Sequence, residues 1–285
     1  MGVERRAAHN APMFECHRQP ALALALLCSA GTGAAADAPL WELGLGAAAL
    51  RLPQYRGADR DSSWLLPLPY VAYRGPVFKA DRDGARATLV EQGEWQLNLS
   101  AALAPPLDSG ANPARAGMPR LAAAAEIGPD LVRHLTGSGS QGLALHWPLR
   151  AAVTLQRNPQ AIGWVSTPHL QWSGGLGDGW RVGLRGGAVY ASRRYDQYYY
   201  GVTPAQATST RAAYAARGDY GGLQALASLS RRWDRLWLGA YVQADSLRGS
   251  SLVDSPLVRR DHSLAVGVAM AWVFAASAQR VNAED

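Results

Sequence analysis

An alternation of side-chain character with period two runs through most of this chain and limits what it can fold into. In Trp95–Leu103 the odd positions are Trp, Leu, Leu, Ala and Leu, and the even ones Gln, Asn, Ser and Ala. In Leu143–Gln156 the odd positions are Leu, Leu, Trp, Leu, Ala, Val and Leu, against Ala, His, Pro, Arg, Ala, Thr and Gln. In Leu264–Phe274 the even positions are Leu, Val, Val, Met, Trp and Phe, against Ala, Gly, Ala, Ala and Val. Successive side chains on a strand point to opposite faces, so each window has one apolar face and one polar or small face. Fainter copies fall at 41–51, 64–74, 77–90, 120–127, 162–172, 180–190, 223–230 and 236–245. No segment is apolar over the ~18–20 residues that a membrane-spanning helix needs, so a helical membrane protein is excluded.

The repeats total eleven candidate strands, each about as long as a tilted bilayer crossing requires. Turn signals separate them, among them Asp81-Arg82-Asp83-Gly84, the glycine-rich 174–179 and Arg231-Arg232-Trp233-Asp234-Arg235. Long polar or small-residue stretches at 104–119 and 191–220 read as extracellular loops. A soluble lipocalin-like barrel or sandwich would have to bury so many long apolar faces inward. Lipid outside a transmembrane barrel absorbs them directly. The expected fold is therefore all-β: a closed, antiparallel transmembrane barrel with short periplasmic turns and longer extracellular loops. Single-chain bacterial barrels have even strand numbers, which favours 12, with 10 as the alternative. Composition agrees: charged residues are 18% of the chain, and 30 Gly, 10 Trp and 11 Tyr stand against 3 Phe. Trp41, Trp95, Trp180 and Trp237 open strands, where an interfacial girdle would place them.

Export is expected from the first 36 residues. Arg5, Arg6, His17 and Arg18 precede the apolar run 21–28, and Ala34-Ala35-Ala36 reads as a cleavage site. Met13 would give a more ordinary basic region than Met1. Both cysteines, Cys16 and Cys28, fall in this leader, so the mature chain, 37–285, has no thiol chemistry. The last strand is expected near 264–274, with a short tail, 275–285.

Three collinear stretches carry a family resemblance. Tyr55-Arg56-Gly57-Ala58-Asp59 leads into a strand containing Pro67, Pro69, Tyr73 and Arg74. Tyr200, Gly201, Val202, Thr203 and Gln206 form a second motif, and Leu247-Arg248-Gly249 with Asp254, Ser255 and Pro256 a third. Together they resemble the MipA/OmpV (MltA-interacting-protein-like) family of Gram-negative outer-membrane proteins. The resemblance implies an outer-membrane barrel. It also implies a scaffold that links a murein-degrading lytic transglycosylase to a murein-synthesising penicillin-binding protein, while other members are porin-like or adhesive.

Catalytic chemistry finds little support. Asp261-His262-Ser263 are adjacent on a strand and so cannot converge as a triad. There is no GxSxG, HExxH or Walker motif. His134, His146, His169 and His262 lack metal-ligand spacing. The pairs Asp59/Asp61 and Asp81/Asp83 read as turn formers. A non-enzymatic protein without metal or cofactor is expected, with an outer-membrane hydrolase as a remote alternative. Basic residues are spread along the chain rather than blocked together, which argues against nucleic acid. Arg150, Arg181 and Arg185 fall on polar strand faces. They would line the lumen and give an open pore an anion bias, so a small-solute or antibiotic-permeability channel is the competing reading. The run Tyr195, Tyr198, Tyr199, Tyr200 suits either an exposed partner loop or girdle aromatics.

Overall fold

The computed structural model describes residues 37–282 apart from 76–77, 82–83, 108 and 139–140. The leader, the start-site alternatives and both cysteines lie outside the described residues. The strands are β1 (Asp37–Pro39), β2 (Trp41–Pro53), β3 (Asp61–Arg74), β4 (Phe78–Asp81), β5 (Gly84–Gln92), β6 (Trp95–Ala104), β7 (Ala124–Ser138) and β8 (Gln141–Thr154). They continue as β9 (Ala161–Ser166), β10 (His169–Gly177), β11 (Trp180–Ala191), β12 (Asp219–Trp233), β13 (Leu236–Ser246), β14 (His262–Ala276) and β15 (Arg280–Asn282). One α-helix, α1, covers Arg193–Tyr200. Among the described residues no helix is long and apolar enough to cross a membrane.

All strands but β1 and β15 form one antiparallel sheet of 13. Pairing runs in chain order from β2 to β9 and from β10 to β14, and β14 pairs back onto β2. Pro168, which has no N–H to donate, lies between β9 and β10. The two halves of this broken strand share one place between β8 and β11, because β8 pairs with both and β11 pairs with both. The 13 strands therefore occupy 12 positions. The repeat at 77–90, a single candidate strand in the sequence, is two strands here, β4 and β5, which supplies the twelfth position.

The alternation is expressed as predicted. On β14 the odd positions from Ser263 to Val273 are buried, while Leu264, Val266, Val268, Met270, Trp272 and Phe274 face out. The outward set spans the sheet and includes Leu45, Leu65, Trp147, Leu149, Trp164 and Leu184. Such a surface is stable against hydrocarbon and costly against water.

Connections at the two ends differ. Asp178-Gly179, both with positive φ (49° and 77°), join β10 to β11 as a two-residue hairpin, and Asp234-Arg235 join β12 to β13. The opposite end carries the long links 54–60, 105–123, 155–160, 192–218 and 247–261. Trp41, Trp95, Trp233 and Trp272 face outward toward the short-turn end. The Arg133 guanidinium lies 5.3 Å over the Trp95 ring and that of Arg231 4.6 Å over Trp233. Trp237 departs from the expected girdle. It points inward and is 2% exposed, because its own parity on β13 is that of the interior. Gly239 makes room for it: a Cβ there would come within 2.4 Å of the Trp237 ring.

The tail is integrated as far as Asn282. β14 reaches Ala276, beyond the expected end at Phe274, and β15 then pairs with β1 at the short-turn end.

Candidate functional site

The three sequence motifs, up to about 200 residues apart, meet at the long-loop end. Tyr55, Ala58, Leu107, Met118, Leu121, Tyr200, Val202, Leu247, Leu252 and Leu257 form one buried cluster built from four of the long links. Tyr55 donates its phenolic hydrogen to the Leu257 carbonyl (2.7 Å) and packs edge-on against Tyr200 at 6.1 Å. Burial pushes its phenol up to about 12. Ser255 Oγ donates to the Tyr200 carbonyl at 2.7 Å. Gly57, at φ +86°, turns its carbonyl to accept from the Arg259 and Arg260 amides (2.8 and 3.1 Å), and a Cβ there would sit 2.6 Å from Leu247. Gln206 and Thr203 close a capping box, and Val202 exchanges two main-chain bonds with Tyr214. Gly201 is buried beside Gln197. Asp59, Thr203 and Asp254 are exposed and Pro256 is half-buried, at the margins of this cluster.

Two arginines are buried in the cap and held by neutral oxygens. Arg115 donates to the Tyr199 carbonyl (2.9 Å) and the Ser109 hydroxyl (3.3 Å). Arg211 reaches the carbonyls of Ala114, Ala116 and Gln206 at 2.7–3.0 Å. Five-donor guanidinium groups can cross-brace separate loops in this way.

The tyrosine run is neither an exposed loop nor a girdle. It lies on α1, started by Ser192 Oγ as N-cap, and plugs the mouth of the sheet. Tyr195 donates to Glu126 Oε1 (2.8 Å), Tyr198 accepts from the Ala122 amide (2.9 Å), and Tyr200 joins the cap cluster. Asp196, on the same helix and 3% exposed, is raised by burial to about 6 despite Arg56 nearby.

Below the cap the interior has two unlike halves. On β13, β14, β2 and β3 it is filled by Ala48, Leu68, Tyr70, Ala72, Trp237, Ala269, Ala271 and Val273. Two buried carboxylates bracket this fill. Glu42, 1% exposed, binds Arg74 (2.8 Å) and Arg232 (2.5 Å), tying β2 to β3 and β12. Asp245 accepts from Arg56 (2.8 Å), Gln224 (3.0 Å) and Gln243 (3.1 Å). On β6, β7, β8, β10 and β11 the inner face carries polar side chains among smaller apolar ones such as Val132, Ala144, Ala152 and Val189. Arg150 donates to Ser100 Oγ (3.0 Å), His146 pairs with Asp130 (2.9 Å), and the rings of His146 and His169 stack at 4.9 Å. Arg181 and Arg185 are half-buried on β11.

Pro67 and Pro69 face outward on β3. The Arg74 amide donates toward β2, to Leu40 (2.8 Å), so by strand parity these odd-numbered nitrogens point away from β2. That side of β3 meets β4 only at Tyr73 and Arg74. Prolines there remove edge donors, as unpaired strand edges require.

The sequence motifs identified Tyr55, Arg74, Tyr200 and Ser255 but not Glu42, Asp245 or Trp237. The signal was present: Glu42 is an acid on the small-residue face of a strand whose other face is apolar, a costly placement without partners. Of the histidines that lack metal spacing in sequence, His134, His146 and His169 lie on the neighbouring strands β7, β8 and β10 while His262 stands apart on β14, and among the described residues no group of three ligating side chains could hold a metal. Asp61 pairs with Arg51 (2.8 Å). Asp261 binds Arg248 and His262, which hold its carboxyl down at about 2, while Ser263 points to the interior.

An outward apolar sheet with tryptophans at one rim and a packed interior defines a β-sheet protein of the outer-membrane type. The family model for MltA-interacting protein MipA matches residues 45–274, and the chain belongs to this family. Outer membrane protein OmpV of Vibrio cholerae is 33% identical over 91 residues, covering 31% of this chain and 34% of that protein. Outer membrane protein Omp26La of Vibrio anguillarum is 32% identical over 91 residues, with the same coverage. The chain thus matches about a third of the length of these relatives. The protein is an outer-membrane protein. The solved toluene transporter TbuX of Ralstonia pickettii aligns over 85% of this chain and 71% of its own, at 9% identity and a TM-score of 0.25.

Proposed function

We propose that the mature chain crosses the outer membrane as a closed, twelve-position barrel and acts there as a non-enzymatic scaffold for murein-remodelling enzymes. The observation that carries this reading is the combination of a lipid-compatible exterior with an interior filled on one side and capped at the long-loop end. Such a barrel is a rigid mount rather than a conduit. By the usual asymmetry of these barrels the short turns, with the β1/β15 pair, face the periplasm, where murein lies. The family description, MltA-interacting protein MipA, supports an enzyme partner, and the resemblance carried by the sequence motifs implies its class: a lytic transglycosylase, with a penicillin-binding protein as the second arm. Affinity capture of the full chain from detergent-solubilised envelopes should recover such an enzyme. Repeated capture without one contradicts the scaffold.

A second reading is favoured by the polar half of the interior. Arg150, Arg181 and Arg185 would bias a narrow anion pathway along β6–β11. Planar-bilayer recordings distinguish the two: a scaffold gives no discrete conductance steps.

A further inference from the structure

At the long-loop rim, where β9 begins and α1 crosses it, an open cleft of about 520 Å³ is lined by Gln160, Ile162, Arg193, Arg194, Gln197 and Tyr198. Both arginines are exposed, and neither has an ion pair or side-chain hydrogen bond among the described residues. Arg157, three residues before Gln160, and Arg217, whose neighbour Gly218 packs against the Arg193 backbone, are likewise exposed and unpaired. The nearby carboxylates do not neutralise them. Asp196 points into the protein, and Asp219 forms no ion pair with any of the four. The amide of Gln197 is fixed with its oxygen accepting from the Ala216 amide (2.9 Å), which leaves its NH₂ as a donor. The Tyr198 ring is likewise fixed by its bond to Ala122. Two arginines in the first turn of a helix oppose the helix dipole, so nothing within the fold favours them there.

The level of the cleft identifies its occupant. Trp164, two residues further into β9 than Ile162, and Tyr190 on β11 face outward, 44% and 37% exposed, as interfacial aromatics do. The four cations therefore lie just beyond the apolar band, at the height of lipid headgroups. We propose that this cleft binds the phosphoryl groups of an anionic lipid of the outer leaflet, with Arg193 and Arg194 as bidentate donors. This rests on the membrane-barrel reading above.

The test uses the full chain refolded in detergent, with native mass spectrometry of bound lipid and gel mobility with and without boiling. The probes are a diphosphorylated acylated glucosamine disaccharide, the same lipid without phosphates, and inorganic phosphate. The wild type is expected to retain the phosphorylated lipid preferentially, and R193A/R194A to bind it roughly tenfold or more weakly while keeping its heat-dependent mobility. R193K/R194K should recover part of the binding, since charge survives but the bidentate fork does not. Equal retention by the heat-modifiable double alanine variant overturns the lipid site alone. Competition by inorganic phosphate at concentrations comparable to the lipid assigns the cleft to a soluble anion and overturns the lipid assignment. A wild type with no heat-dependent mobility overturns the barrel reading and the site with it.

Discussion

The two halves of the interior answer one geometric demand in opposite ways. On β13, β14, β2 and β3, alanines and glycines line the inner wall, and the space they leave is taken by Leu68, Tyr70 and Trp237. On β6–β8, β10 and β11, the same inward parity carries Asn98, Ser100, Asp130, His146, Arg150 and His169. The first half is packed like a soluble core and clamped by Glu42 and Asp245. The second is a mixed wall, with polar groups such as Arg150 and Asp130 set among Val132, Ala144 and Ala152. The contrast teaches that rigidity and any capacity to pass polar solutes reside on different strands, so they can be separated by mutation.

The largest effect is expected at Trp237. Truncation to Ala removes the biggest side chain of the packed half, next to a glycine that cannot fill the space, and should lower unfolding stability in urea by ~3–5 kcal/mol. A loss below 1 kcal/mol would mean that the half is not packed as described. Glu42→Gln comes next. It leaves Arg74 and Arg232 buried without a counter-charge and is expected to cost ~3 kcal/mol in the same assay, more than removing the exposed Arg51–Asp61 pair, which is worth under ~1 kcal/mol.

The cap should show a pH dependence of its own. The folded Asp196 carboxyl titrates at about 6 against 3.8 when free, so the folded state holds its proton more tightly. Cap stability is then greatest below about pH 4 and declines as pH rises through 6, by at most ~3 kcal/mol. Hydrogen exchange at the α1 amides should follow that curve. Asp196→Asn should flatten it and protect α1 at pH 7.

The smallest structural effect belongs to the polar half. Arg150→Ala loses one bond to Ser100 and should cost ~1 kcal/mol. Should the protein prove to conduct, this variant is expected to weaken anion preference where Trp237→Ala does not, which would move the balance toward the pore.

Much of the fold could be read from the sequence because a strand's two faces are written directly into residue order. The windows at Trp95, Leu143 and Leu264 needed no tertiary information. The twelfth position was signalled by the turn residues Asp81 and Gly84 inside the 77–90 repeat, but alternation continues on either side of them and made the repeat read as one strand. Trp237 was misread because strand-end position suggests a girdle, whereas parity decides which way the ring points. The motif residues were recognisable one by one. Their convergence was not, since the cap joins links separated by whole hairpins, and nothing local to Tyr55 specifies that Leu257 accepts its hydroxyl. Likewise Glu42 could be seen as a lone acid, but its two arginines come from β3 and from β12, a strand nearly 200 residues away.

In the proposed barrel these faces are turned inside out relative to a soluble protein, with the apolar side toward lipid and the interior closed. Gel mobility of the full chain, extracted from outer membranes in mild SDS and run with and without boiling, tests it most directly. A faster, compact band before boiling that disappears after it is the expected result. A single mobility under both conditions, with the protein in the soluble fraction, would contradict the barrel and everything built on it.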